Sequence, residues 1–283
     1  MEFVRAKSAG FCMGVSLALH KLDDIIEKKN ISGDIYILGS IIHNPQVVEE
    51  YAAKGVISAD SPEEIPSGSI VVIRAHGITK QVQESLSQRG IHVIDATCPK
   101  VKDACVLIEE NTAKERVLLL FGEEFHPEVK CLLSYAAGKT LVFDSLEKCQ
   151  ACDLDPAQKY CLAAQTTQDK HIFDEISRHL LKRKGLDLVV LHTICNATKM
   201  RQDEATKIAE QSDFVIVAGG YNSSNTRRLA QVIEANGTAA LHIETASELP
   251  LEKLRKFKKI GLTAGASTPK KIVDDVQKTL ESL

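Results

Sequence analysis

Tryptophan is absent from the 283 residues, and aromatic side chains make up only 5% of them. A platform that stacks unpaired bases needs several exposed rings, so none is expected. Strong charge of either sign is missing as well. The formal net charge is −3, which provides no general attraction to nucleic acid or to an anionic membrane surface. No apolar run approaches the roughly 20 residues that cross a bilayer. The opening Met1, Glu2, Phe3, Val4, Arg5 lacks the basic segment and apolar run of a signal peptide. A cytosolic protein is expected, with neither nucleic acid nor membrane as a partner.

What is present is an ordinary globular composition, 44% hydrophobic and 26% charged, with eight cysteines. In a reducing compartment a disulfide framework is not expected, so metal binding or catalysis is the better reading for some of them. Three share a context. Cys12 follows the stretch Phe3 to Ala6, in Gly10-Phe11-Cys12-Met13-Gly14. Cys98 follows the apolar run Ile91 to Ala96 and precedes Pro99; Cys195 follows Leu188 to Leu191, in Thr193-Ile194-Cys195-Asn196. Each sits where a predicted strand ends and a helix begins, the place in an α/β unit where ligands gather. A helix N-terminus also favours the thiolate, through its unpaired N–H groups and its dipole.

The spacing around these cysteines repeats. A helix, a strand and a polar site follow each: His43-Asn44-Pro45, His126-Pro127-Glu128 and Asn222-Ser223-Ser224-Asn225. A second polar site comes after each of those: Ala75-His76-Gly77, Gln165-Thr166-Thr167 and Gly265-Ala266-Ser267. The letters between are not alike, so the repeat is one of architecture. It predicts three α/β thirds, 1–97, 98–194 and 195–283, whose strand ends point to one centre.

Within these thirds, strands are expected over residues 2–6, 34–38, 70–73, 117–121, 141–143, 160–164, 188–191, 214–218, 241–243 and 260–263. The continuous apolar runs Ile70 to Ile73 and Val117 to Phe121 suit strands buried on both faces. Helices are expected from Val15 to Lys28, from Pro45 with Asn44 as its cap, over Val101 to Ala113, from Gln168 to about Lys184, from Thr226, and at the end of the chain.

Three thiolates from distant segments do not form a linear zinc motif, which comes in close pairs. They suit a [4Fe–4S] cluster with one iron open to substrate, since four would fill a cluster used only for electron transfer. Cys149 and Cys152 make a CxxC without a second pair, and the bland reading is favoured there; Cys105 and Cys161 read as core. The sites at Ser223 to Asn225 and at Ser267 lie at predicted helix N-termini, which suit phosphate, although capping alone accounts for one residue per helix. His43 and His76 add donors or charge. Glu128, with Thr166, suits a proton relay; as a first-turn charge on its helix it is equally well explained.

Taken together in order along the chain, Gly10-Phe11-Cys12, Ile42-His43-Asn44, Ala75-His76-Gly77, Asp95-Ala96-Thr97-Cys98-Pro99, His126-Pro127-Glu128, Gln165-Thr166-Thr167, Ile194-Cys195, Asn222-Ser223-Ser224-Asn225 and Thr263-Ala264-Gly265-Ala266-Ser267 resemble the motifs of the 4-hydroxy-3-methylbut-2-enyl diphosphate reductase (IspH/LytB) family. The resemblance covers essentially the whole chain. It implies a trefoil of three pseudo-threefold α/β domains around a central iron–sulfur cluster. The implied activity is the last step of the non-mevalonate isoprenoid route, a two-electron, two-proton removal of the substrate hydroxyl that yields isopentenyl and dimethylallyl diphosphates. Cys12, Cys98 and Cys195 become the ligands of one [4Fe–4S] cluster. His43, His76, Ser223, Ser224, Asn225 and Ser267 become the diphosphate site. Glu128, with Thr166 and His126, carries protons, which resolves the Glu128 alternatives toward chemistry. The substrate oxygen is expected on the open iron, and electrons from an external ferredoxin or flavodoxin. The sequence departs from the family's expected pattern at Glu123, Glu124, Phe125 and Met200. Two rivals are a zinc or redox sensor using the same thiolates, and a phosphometabolite-binding module without chemistry.

Overall fold

A computed structural model describes residues 2–27 and 33–283. The elements run β1 (Glu2–Arg5), α1 (Met13–Glu27), β2 (Ile35–Leu38), α2 (Pro45–Ala53), β3 (Val56–Ala59), β4 (Ile70–Ile73), α3 (Lys80–Gln88), β5 (His92–Asp95), α4 (Pro99–Thr112), β6 (Arg116–Phe121), α5 (Pro127–Leu133) and β7 (Thr140–Phe143). They continue with α6 (Leu146–Gln150), β8 (Lys159–Ala164), α7 (Lys170–Leu181), β9 (Asp187–Val190), α8 (Asn196–Gln211), β10 (Phe214–Ala218), α9 (Ser224–Ala235), β11 (Ala239–Ile243), α10 (Leu251–Leu254), β12 (Lys259–Ala264) and α11 (Lys270–Glu281). The helix expected over Val15 to Lys28 is α1; Lys28 lies outside the described residues.

The strands form three parallel four-stranded sheets, β3-β2-β4-β5, β7-β6-β8-β9 and β1-β12-β10-β11. This is the expected α/β class. Read from the other edge, the last sheet runs β11-β10-β12-β1, so all three share one winding, with β1 in the place of a thirteenth strand. Each reverses direction between its first and third strands (β2 and β4, β6 and β8, β10 and β12), and ligands gather beyond the carboxyl ends of strands at such a point. β2 to β5 share one sheet, β6 to β9 the second and β10 to β12 the third, which β1, first in the chain, joins by pairing with β12.

The chain divides into two compact units. One comprises Met1–Ser16, Ile42–Tyr51 and Asn196–Leu283 and holds the sheet of β1, β12, β10 and β11. The other comprises Leu17–Ile41 and Ala52–Cys195 and holds the remaining two sheets. In the second unit, alternation along β6 and β8 sorts side chains to two faces. Leu118, Leu120, Cys161 and Ala163 pack with Val101, Cys105 and Cys131; Leu119, Phe121, Leu162 and Ala164 pack with Phe143, Cys149 and Phe173. In the first unit, Phe214, Ile216 and Ala218 pack with Val273 and Val276, while Val215 and Val217 pack with Ala205 and Leu229. Both faces of each central strand are covered, which is why these stretches read as unbroken apolar runs.

Helix starts follow local chemistry. Asn44 Oδ1 accepts from Val47 N–H at 3.1 Å ahead of α2, with Pro45 in the first turn. Cys98 and His126 are the N-cap residues of α4 and α5, each followed by proline. The helix expected from Gln168 begins later, at Lys170, because Asp169 Oδ1 accepts from His171 and Ile172 N–H. The edge strand β3 was not expected; its pattern of two buried ends around two exposed residues carries no alternation. Among the described residues, no helix is long and apolar enough to cross a membrane.

Candidate active site

The three cysteines that follow fourth strands are held alike. Cys98 N–H donates to Ala75 O at 2.9 Å, Cys195 N–H to Thr166 O at 3.0 Å, and Cys12 N–H to Ala266 O at 3.0 Å. Each acceptor lies in the loop after a third strand, at or beside a predicted site residue: His76, Thr166 or Ser267. The parallel ladder thus extends past the strand ends and ties every cysteine to a polar loop of its own sheet. Among the described residues, none of the eight cysteines is joined in a disulfide.

Donor chemistry separates these three from the rest. Cys12, Cys98 and Cys195 are half-buried, and Val15 N–H points at Cys12 Sγ at 3.5 Å in the first turn of α1. The exposed Lys100 ammonium is held above the usual lysine range first by Asp103 and in smaller part by Cys195 and Cys98, so one lysine feels both sulfurs. By contrast, burial pushes the Cys149 thiol up to about 12 and the Cys161 thiol up to about 11. Cys105 and Cys131, 3.9 Å apart, are buried in the apolar layer; the contact with Cys131, followed by burial, raises the Cys105 thiol strongly. Cys152 is half-buried and donates to Lys148 O. By its donor chemistry each of the three tethered thiols suits a cluster ligand.

In the same unit as Cys98 and Cys195, the acid of the site is built from α5 and the loop after β8. Glu128 is 1% exposed. Its Oε1 accepts from Thr166 N–H at 2.6 Å, and its Oε2 lies 3.0 Å from Thr166 Oγ1. Burial raises the carboxyl, and the two Thr166 hydrogen bonds oppose it; burial wins, pushing it up to about 7. His126 Nδ1 accepts from Glu128 N–H at 3.1 Å, which fixes the imidazole orientation. The His76 ring meets the His126 ring edge-on, with centroids 5.3 Å apart.

The other unit gathers hydroxyls and an amide. Ser267 Oγ donates to His43 O at 3.3 Å and lies 3.5 Å from Ser223 Oγ. Ser223 caps α9, accepting from Thr226 N–H at 3.3 Å. Ser224 Oγ accepts from Arg227 Nη2 at 3.2 Å. Asn225, 7% exposed, has no hydrogen-bond partner for Nδ2 among the described residues. A buried donor without an acceptor is costly, and an anion beside Asn225 would satisfy it. Backbone closeness is part of the design, since a Cβ on Gly220 would fall 2.4 Å from His43 O.

Every predicted site residue is thus placed. Glu128, Thr166, His126 and His76 are brought together in one unit, and His43, Ser223, Ser224, Asn225 and Ser267 in the other. Sequence reasoning missed Thr193 and Arg227. Thr193 Oγ1 accepts from Ala164 N–H at 2.8 Å and donates to Ala164 O at 2.6 Å, standing in for a strand between the Leu191–Leu162 rung and the Cys195–Thr166 rung. No local signal distinguishes such a threonine from a strand residue. Thr193→Val is expected to lower stability by about 1–3 kcal/mol, because two buried backbone groups lose their partner; denaturant titration checks it, with Thr193→Ser recovering most of the loss.

A family model described as LytB protein matches residues 3–281. A relative from Solidesulfovibrio magneticus, named 4-hydroxy-3-methylbut-2-enyl diphosphate reductase, is 53% identical over 285 residues, covering 100% of both chains. One of the same name from Oleidesulfovibrio alaskensis is 52% identical over 283 residues, again covering 100% of both. A solved structure described as (E)-4-hydroxy-3-methyl-but-2-enyl diphosphate reductase, the terminal enzyme of the non-mevalonate pathway, is 37% identical with a TM-score of 0.70 and covers 100% of both chains. A Plasmodium falciparum structure described as E-1-hydroxy-2-methyl-but-2-enyl-4-diphosphate reductase is 28% identical with a TM-score of 0.91, covering 100% of this chain and 87% of that one.

Proposed function

The chain belongs to the LytB protein family, and from that premise we propose that it reduces 4-hydroxy-3-methylbut-2-enyl diphosphate to isopentenyl and dimethylallyl diphosphates. The observation that carries this reading is the threefold tether, in which each of Cys12, Cys98 and Cys195 hangs by its N–H from the loop of a site residue. The reaction takes up two electrons and two protons, breaks the carbon–oxygen bond and releases water.

Cys12, Cys98 and Cys195, one from each of the thirds 1–97, 98–194 and 195–283, would hold one [4Fe–4S] cluster. Such a cluster supplies single electrons and a Lewis-acidic iron. Its electrons would come from an external carrier of the ferredoxin or flavodoxin type, in the cytoplasm. His43, His76, Ser223, Ser224, Asn225 and Ser267 bind the diphosphate, far from the breaking bond, and so fix the reacting carbon. Asn225 Nδ2 and the Ser223 and Ser224 hydroxyls supply the donors.

Glu128 holds the proton. Thr166 donates to both carboxyl oxygens, its N–H to Oε1 and its hydroxyl to Oε2; once Glu128 is protonated on Oε2, the hydroxyl turns to accept that proton and frees its own. From there the hydroxyl relays it to the leaving oxygen. A carboxyl pushed up to about 7 is still substantially protonated at neutral pH. His126 orients this pair through the Glu128 backbone.

The reading is tested by measuring iron, acid-labile sulfide and zinc on anaerobically purified protein, followed by a reductase assay with the hydroxylated diphosphate. About four irons and four sulfides per chain with turnover are expected. Zinc without sulfide, and no turnover, would leave only the fold.

A further inference from the structure

A diphosphate carries several negative charges, yet the serine and asparagine donors that meet it in its unit are neutral. One cation is wired into them. Arg227 lies one turn into α9, and its Nη2 donates to Ser224 Oγ at 3.2 Å while Nη1 donates to Tyr221 O at 3.0 Å. These bonds lay the guanidinium across the entrance turn of the helix, from the residue before Asn222 to the first helical residue.

The consequence for Ser224 is specific. A hydroxyl has one proton. Ser224 is 6% exposed, and its oxygen already accepts from a guanidinium. Its own O–H therefore remains to be donated, and a charge-assisted bond on the oxygen makes that proton the stronger donor. Asn225 beside it keeps a buried Nδ2 without a partner, so the two neighbours present donors at the same helix start. The N-terminal N–H groups of α9 add to the same field.

We infer that Arg227 is a positioning residue for the diphosphate, which polarises and orients the Ser224 hydroxyl and thereby sets the affinity of this unit for doubly charged phosphate groups. The inference rests on the diphosphate reading above. It assigns Arg227 no contact with the reacting carbon, so it acts on binding and leaves the chemical step alone.

The test uses the intact protein and inorganic pyrophosphate as the probe, with calorimetry on wild type, Arg227→Gln, Ser224→Ala and the double variant. Arg227→Gln is expected to weaken pyrophosphate binding about tenfold, the size of one charge-assisted hydrogen bond, and to flatten its salt dependence. Arg227→Lys, which keeps charge but loses the fork, should lie between. In the Ser224→Ala background the Arg227→Gln change should nearly vanish. In turnover assays KM should rise with kcat unchanged. Equal pyrophosphate affinity in wild type and Arg227→Gln overturns the inference while leaving the diphosphate reading intact. A full tenfold loss that persists without Ser224 overturns the route through that hydroxyl. Failure of wild type to bind pyrophosphate removes the diphosphate reading itself.

Discussion

Glu128→Gln is expected to cut turnover by about 10²- to 10⁴-fold, the range for losing a positioned proton donor, with KM and iron content unchanged. The substitution preserves shape. Its carbonyl oxygen still accepts from Thr166 N–H, and its amide can donate to Thr166 Oγ1 once that hydroxyl turns, so what it lacks is a transferable proton. The pH dependence supplies a second readout. With the carboxyl pushed up to about 7, wild-type turnover should fall about tenfold per unit above that value as the acid ionises, and the residual rate of the variant should lack this limb. Stability should move in step. The folded state binds the proton more tightly than the unfolded chain, whose carboxyl titrates near 4.5. Wild type therefore loses stability as pH rises from about 4.5 through about 7, and the glutamine variant does not. Turnover near wild-type level would remove Glu128 from the chemistry, and parallel pH-stability curves would remove the buried acid as its cause.

The second large effect distinguishes tethered cysteines from core cysteines. Cys12→Ser, Cys98→Ser and Cys195→Ser should each lose iron, sulfide and turnover while melting cooperatively as apoproteins, because each side chain is half-buried and each tether is made by backbone N–H. Cys161→Ser and Cys105→Ser should do the reverse. They place a hydroxyl into an apolar layer, which is expected to cost about 1–3 kcal/mol in stability and to leave iron and turnover in place. Iron and sulfide analysis beside denaturant titration on the five variants reads both axes. Retention of a full complement of iron by any of the first three would break the threefold assignment.

Much of the fold was legible because parallel central strands, covered on both faces, have to be apolar throughout. Ile70 to Ile73 and Val117 to Phe121 could be recognised on that ground alone, and the six polar sites stood out as interruptions at their ends. Asn44, Pro45, Pro99 and Pro127 marked helix starts, since capping and a fixed φ are local properties. β3 escaped notice because a four-residue edge strand with exposed central residues has no period. Thr193 and Arg227 escaped notice because their roles depend on a partner brought close by folding: the end of β8 for one, the hydroxyl one helical turn away for the other.

The sequence by itself determined the α/β class, the placing of three cysteines at strand ends and the candidate set at Glu128, Thr166 and the serines. Each of these follows from residue type and short-range order. Only the tertiary structure decided that β1 pairs with β12, so that Cys12, first along the chain, hangs from the loop of Ser267, near its end. It also decided that Glu128 is desolvated enough to hold a proton near neutrality. Strand pairing and burial depend on which distant segments close over a residue, and no local pattern carries that information.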